Sequence, residues 1–319
     1  GKAVPKKMIQ TTLGPISPVS LGKVDVHEHI VIDRSKNEII PEDFHHVEVD
    51  LITADLMDWK TVGGGAIIDS SPIGAGRNIR LLTDVSDAAK VPLIISTGFH
   101  KLSYYHETHW LFSSSAEDLY ETLYGECTLG VLVDDRHPKE SQRSSSKANM
   151  LKMGLDHRGV TAVIERIMTA IGEVSRQTGI PCMIHTEPEV PFHEVVEALK
   201  QAEIPPERVI FCHMGKSFDL TLHEALAKDG YYLEFDEMVR PEPSLEILAQ
   251  GILNLFAQGF GSSILFAGDL ARRSYWNCYG GKPGLAYLLT GLENNLLSLG
   301  LSQAMLDQIW LNNPRELFL

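Results

Sequence analysis

Apolar residues in this chain gather into short runs at regular intervals, each bounded by polar or turn-forming residues. The runs are VDVHEHI from Val24, GGAIIDSS from Gly64, PLIISTGF from Pro92 and NMLKMGLD from Asn149, then PCMIHTE from Pro181, VIFCHMG from Val209, YYLEFDE from Tyr231 and ILFAGDL from Ile264. Each has the length and punctuation of a buried strand. Between most of them the period changes to that of an amphipathic helix, as in TAVIERIMTAIGEVSRQTG before the fifth run and HEVVEALKQAEI before the sixth. Strands alternating with helical patterns predict βαβ units and a parallel sheet. Eight such units in 319 residues match an α/β fold of the (β/α)8 TIM-barrel type in count and length. A doubly wound sheet is the structural alternative, but no G-x-G-x-x-G opens a helix after an early strand. The longest interruption, at about residues 100–148, holds HETHW, a helical pattern at AEDLYETLYG and the polar SQRSSSK. It reads as an excursion with a mobile tip from a single barrel domain spanning 1–319.

Polar residues then intrude where the strand pattern asks for apolar ones. His27 and His29 are two apart, so an extended strand turns both side chains to one face. Lys152, His185, His213 and Asp269 stand near the ends of four further runs. Taken singly each has an ordinary reading: His185 as a hydrogen-bonded core histidine, Asp269 as a helix cap. Lys152 resists this, because M-L-K-M-G sets an ammonium among apolar neighbours, where an unpaired cation is costly or its pKa is forced down. In a barrel the C-terminal ends of the strands converge on the face where active sites lie. Imidazole nitrogens and a carboxylate meeting there suit Zn²⁺ or a similar transition ion. Reaction of the lysine amine with carbon dioxide would turn the awkward cation into a carbamate able to bridge two metals.

Charge and composition narrow the partners. The formal charge of −14 opposes nucleic acid and anionic lipid, which need basic patches. No apolar run approaches the ~20 residues of a spanning helix. The start, Gly1-Lys2-Ala3-Val4-Pro5-Lys6-Lys7, lacks the apolar stretch of a signal peptide. The four cysteines, Cys127, Cys182, Cys212 and Cys278, are too few and scattered for a disulfide framework. A reducing cytoplasm is the expected location.

The set H-x-H, strand-four Lys, strand-five His, strand-six His and strand-eight Asp resembles the amidohydrolase superfamily, and within it the phosphotriesterase-like branch. T-L-G-P-I-S-P before H-E-H-I, S-T-G-F, T-G-I-P-C-M-I-H-T and the closing N-N-P-R-E-L-F extend the similarity over nearly the whole chain. The resemblance implies that His27, His29, Lys152 and Asp269 hold the more buried of two divalent metals, zinc first among them with manganese or cobalt as alternatives. It implies that carboxylated Lys152, His185 and His213 hold the more exposed one. It further implies a metal-bridging hydroxide as nucleophile, Asp269 as proton shuttle, and a homodimer. Asp25 is a possible partner of the first-strand histidines or a plain barrel-floor hydrogen bond.

The ligands do not decide between carboxyl and phosphoryl esters, so the loops must. D-L-A-R-R-S-Y-W-N-C-Y-G-G-K-P-G follows the eighth strand, with Arg272, Arg273, Tyr275, Tyr279 and Lys282, and Arg240 follows the seventh. The Arg-Arg-Ser-Tyr segment resembles the sugar-lactone phosphate hydrolases of the branch, and barrel enzymes often hold phosphate in these loops. Of the adjacent arginines, Arg273 is favoured for the pocket because it lies nearer Ser274 and Tyr275. After His213 the chain reads M-G-K-S-F-D-L, where related proteins tend to carry an Asp, so Lys216 and Ser217 are expected to alter substrate orientation. His100, Tyr104 and Tyr105 are expected near the pocket, with aromatic packing as the role of at least one tyrosine. The expected activity is metal-dependent opening of a lactone or carboxylic ester, with an anionic, phosphorylated sugar lactone as the substrate. Hydrolysis of phosphotriesters or phosphonates is the alternative, and a non-catalytic barrel that binds a ligand is a third reading.

Overall fold

The computed structural model describes residues 7–134 and 136–319. Residues 1–6, which carry most of the leader reading, lie outside that range. Eight strands form one parallel sheet in chain order: β1 (Lys23–Glu28), β2 (Gly64–Asp69), β3 (Leu93–Gly98), β4 (Ala148–Gly154), β5 (Cys182–His185), β6 (Val209–Phe211), β7 (Tyr232–Phe235) and β8 (Ile264–Phe266). The barrel is nearly closed. At the seam between β8 and β1, the Asp269 amide donates to the His27 carbonyl at 2.9 Å. Six of the eight predicted runs contain their strand, and β1 and β4 each begin one residue before theirs.

Helices α1 (Val49–Thr61), α2 (Ile79–Ala89), α3 (Ala116–Thr128), α4 (Ala162–Thr178), α5 (Phe192–Gln201), α6 (Leu220–Lys228), α7 (Leu245–Ala257) and α8 (Gly291–Ser298) follow the strands in turn. The longest, α4, shows why the sequence folds as it does. Thr161 caps it by accepting from the Ile164 amide, and Gly179 closes it in the left-handed region at φ 74°. Its buried stripe of Ile164, Ile167, Met168, Ile171 and Val174 packs on the sheet. A second apolar layer, including Ile68, Ile94, Met150, Met183, Ile210 and Leu265, forms a separate cluster. Met150 and Met183 alternate along their strands with Lys152 and His185, so the same faces that carry this layer run upward into the polar residues.

The excursion between β3 and β4 contains two 3₁₀ turns, Leu102–Tyr104 and Trp110–Ser113, and then α3, which packs against α4. Among the described residues, no helix is long and apolar enough to cross a membrane.

Candidate metal-binding active site

The intruding polar residues meet at the C-terminal mouth of the barrel. His27, His29, His185, His213 and Asp269 all border one cavity of about 370 Å³, a size suited to a small ligand. Inside it, His29 Nε2 lies 3.4 Å and His27 Nε2 3.6 Å from the same Asp269 oxygen, Oδ1. His213 Nε2 lies 3.0 Å from His185 Nδ1. Two donors each about 2.0–2.1 Å from one tetrahedral zinc stand about 3.3 Å apart, so these separations fit donors around an ion.

The remaining nitrogens strengthen that reading, because each imidazole is held from behind. His27 Nδ1 hydrogen-bonds Glu234 Oε2 at 2.7 Å, His29 Nδ1 hydrogen-bonds Ser71 Oγ at 2.8 Å, and His185 Nε2 meets Glu187 Oε1 at 3.3 Å. His213 Nδ1 makes an ion-pair contact of 2.7 Å with Asp236 Oδ2, at an angle outside hydrogen-bond geometry. Three nitrogens are thereby hydrogen-bonded; of the rest, His27 Nε2 and His29 Nε2 approach Asp269, and His185 Nδ1 and His213 Nε2 meet each other. Acceptors behind ligating histidines fix ring orientation and tautomer, as metal sites require.

Lys152 is fully buried, and among the described residues its Nζ has no hydrogen-bond partner. An amine left alone in that position fits a site completed by something further. Room for the strand comes from Gly98, paired in register with Lys152. A Cβ there would stand 2.0 Å from the Lys152 carbonyl oxygen, and Gly98 has φ +114°.

The electrostatics keep His27, His185 and Asp269 in ligating form. Burial, reinforced by the Lys152 charge, holds His27 well below the usual imidazole range. Burial outweighs the Glu187 hydrogen bond to leave His185 at about 3. Burial opposes ionisation of Asp269, but His27, His29 and Arg240 overcome it and hold the carboxyl well below its ordinary value. Neutral imidazoles and an ionised carboxylate are the forms that bind metal. Beneath the site, burial pushes the Asp25 carboxyl up to about 7 and the Glu28 carboxyl well above its ordinary range. Asp25 is hydrogen-bonded to backbone beside the first-strand imidazoles. Its Oδ1 accepts from the Gly268 and His27 amides at 3.1 and 3.3 Å.

Around the rim the basic side chains separate. Lys216, Arg240 and Arg272 border the cavity, as do His100 and Tyr104. Arg240 is anchored: Nη1 donates to the carbonyls of Asp236 and Gly268, both at 3.2 Å, and Nη2 to that of Asp269 at 2.6 Å. Tyr275 lies outside the cavity lining, with its ring 5.2 Å from the Arg240 guanidinium. The preference for Arg273 is reversed. Its Nη1 donates to the His45 carbonyl at 3.0 Å and approaches Glu48 Oε1 at 3.6 Å, and the guanidinium lies 4.1 Å from the Tyr279 ring centre. Arg272, whose guanidinium lies 5.3 Å from the Phe44 ring centre, faces the pocket instead. Left-handed Ala271 (φ 53°) and the 3₁₀ turn Arg273–Tyr275 send the two neighbours apart. Tyr105 is a packing residue: it is buried edge-on to Phe99, and its hydroxyl donates to the Ile73 carbonyl.

Sequence reading missed the residues behind the four histidines, Ser71, Glu187, Glu234 and Asp236. It also missed Ile32, Ile40, Pro41 and Phe44, an apolar wall supplied by the segment between β1 and α1. Glu234 carried a usable signal, being a carboxylate inside the apolar run YYLEFDE, the same kind of intrusion as Lys152.

Residues 7–318 match the model of the phosphotriesterase family. The chain belongs to the phosphotriesterase family. Among its relatives is a phospho-furanose lactonase of Mycoplasmopsis agalactiae, 27% identical over 322 residues that cover 98% of this chain and 91% of that protein. Another is an N-acetyltaurine hydrolase of Xenopus tropicalis, 25% identical and covering 97% of each chain. In three dimensions this family member is similar to an amidohydrolase from Mycoplasma synoviae (TM-score 0.91, 26% identity, 99% and 92% of the two chains). It is also similar to a lactonase from Listeria monocytogenes (TM-score 0.88, 25% identity, 98% and 99%).

Proposed function

We propose that this phosphotriesterase-family protein is a metal-dependent hydrolase that opens a lactone, with a phosphorylated sugar lactone as its substrate class. The observation that carries the reading is the pair of imidazole nitrogens, His27 Nε2 and His29 Nε2, beside Asp269, next to the His185–His213 pair in the same cavity, with the Lys152 amine buried on β4 without a hydrogen-bond partner among the described residues. His27, His29 and Asp269 would hold one ion and His185 and His213 another. The pair, most simply zinc, would supply Lewis acidity and a water acidic enough to attack at neutral pH. Lys152 would join both as a carbamate: the ammonium gives up one proton, the free amine bonds to the carbon of CO2 and gives up a second, and a buried cation is replaced by an anion.

The remaining roles fall to the chain itself. Asp269 takes the proton released by the attacking water and passes it to the leaving alkoxide. His100 Nδ1 accepts from the Lys101 amide at 2.7 Å, which puts the ring proton on Nε2, available to the carbonyl of a bound lactone. Lys216, Arg240 and Arg272 hold the phosphate, with Tyr275 bracing Arg240. The relatives named phospho-furanose lactonase and the Listeria lactonase support this choice. A neutral phosphotriester would leave the basic rim without an anion to hold, so that alternative is not favoured, and a binding barrel without catalysis would have no use for the ligand set. The reading extends to one barrel domain spanning 1–319, cytoplasmic residence, for which the four free cysteines speak, and a homodimer. Metal analysis with reconstitution tests it. The protein should lose lactone hydrolysis on chelation and regain it with Zn²⁺ or Mn²⁺; no bound metal and no gain of hydrolysis on adding either ion would overturn it.

A further inference from the structure

Glu28 stands between the two histidines of H-E-H, yet one of its carboxylate oxygens is spent on backbone, while the other, Oε2, is buried without a hydrogen-bond partner among the described residues. One buried oxygen, Oε1, accepts from the Leu270 amide at 2.8 Å, the His29 amide at 3.1 Å and the Ala271 amide at 3.4 Å. These amides flank the ligand His29 on one side of the seam and follow the ligand Asp269 on the other. The turn they belong to is strained: Asp269 and Ala271 have φ of +41° and +53° without being glycine. Such conformations persist where the surroundings over-determine them. Gly268 supplies an independent sign of the same grip, because a Cβ there would stand 2.7 Å from Glu28 Oε2 and 3.2 Å from Asp25 Oδ2. The acid has been fitted against the backbone at the point where β8 yields its metal ligand.

We propose that Glu28 is a positioning residue of the metal centre, holding through Oε1 the turn that presents Asp269 to the ion shared with His27 and His29. The inference rests on the metal-hydrolase reading of the site. It makes a distinction that a general role in folding does not: the acceptor oxygen at that reach matters, and the negative charge does not. Glu28→Gln keeps the acceptor and the length. Glu28→Met keeps the length and loses the acceptor, and Glu28→Asp keeps the acid but cannot reach.

The test measures zinc affinity by competition with a chromophoric chelator, alongside kcat and KM, with circular dichroism to establish folding. Glu28→Met should bind zinc about 10–100-fold more weakly, the range for partners that orient metal ligands, with kcat falling in parallel. Glu28→Asp should behave alike and replaces the Met variant if that one does not fold. Glu28→Gln should retain affinity within about threefold of the parent. In an Asp269→Asn background the Met change should cost little more, since its effect passes through Asp269. Undiminished zinc affinity in the Met and Asp variants, or a Gln variant as weak as the Met, overturns the proposal. A wild-type protein that binds no divalent ion overturns the metal reading and this inference with it.

Discussion

Arg272 and Arg273 adjoin in sequence and diverge in space, which makes them a matched pair for locating the substrate anion. Arg272→Met leaves an unbranched stem to lie against Phe44 and removes the guanidinium from the cavity rim. A hydrogen bond to a charged partner contributes about 1.5–3 kcal/mol. Arg272 is open to solvent, so the lower part of that range applies, about 1.5–2 kcal/mol, or roughly 10–30-fold at 1.4 kcal/mol per decade. The loss should fall on KM for a phosphorylated lactone and leave the unphosphorylated lactone within about twofold, because the lost contact is remote from the reacting bond. Arg273→Met should do the reverse. It gives up the His45 carbonyl, the Glu48 contact and the Tyr279 ring; with the two side chains of the ion pair 38% and 45% exposed, that pair is worth about 0–1 kcal/mol. The cation–π contact adds about 0.5–1 kcal/mol. A Tm lower by a few degrees with unaltered KM is expected, read by calorimetry and steady-state kinetics on both substrates. A selective KM increase in Arg273→Met, or equal losses on both lactones in Arg272→Met, would refute the placement of the anion.

Other consequences are equally direct. Lys152→Ala should abolish paired metal binding and hydrolysis, with partial recovery in a short carboxylic acid that replaces the carbamate; full metal content in this variant would contradict the carbamate. Asp269→Asn should fold normally and lose about 10²–10⁴-fold in kcat, and a near-parental rate would remove Asp269 from proton transfer. Stability of the metal-free protein should fall as pH drops from about 6.5 toward 4. Burial holds both His46 and His223 at about 4, whereas both titrate near ~6.5 when unfolded, so the unfolded chain binds the extra protons across that window. His223→Phe should remove about 1.4 kcal/mol per pH unit from the slope of urea-melt stability against pH; an unchanged slope would show that His223 is not buried neutral.

The fold and the candidate site were legible for one physical reason. A barrel strand buried on both faces reads as an apolar run, so any ionisable residue within it is conspicuous. Lys152 and His185 stand out in this way, and periodicity ends α4 within a residue of its caps. What stayed hidden depended on tertiary geometry. Ser71 and Glu187 lie just past their strands, where polar residues are ordinary, and only the folded seam brings Glu28 to Leu270. The direction of Arg272 against Arg273 is set by a left-handed residue and a 3₁₀ turn that composition does not announce. The apolar wall from Ile32 to Phe44 belongs to a segment with neither strand nor helix periodicity, so its path to the cavity could not be read.

The most direct measurement compares kcat/KM of the metal-loaded protein for a furanose lactone carrying a phosphate with that for the same lactone without it, beside a neutral phosphotriester. Basic side chains gathered at the rim above a metal-ligand cluster predict turnover of both lactones, with the phosphorylated one favoured by about tenfold or more, as one charge-assisted contact allows. Turnover confined to the triester, or indifference to the phosphate, would contradict a phosphorylated sugar lactone as the substrate.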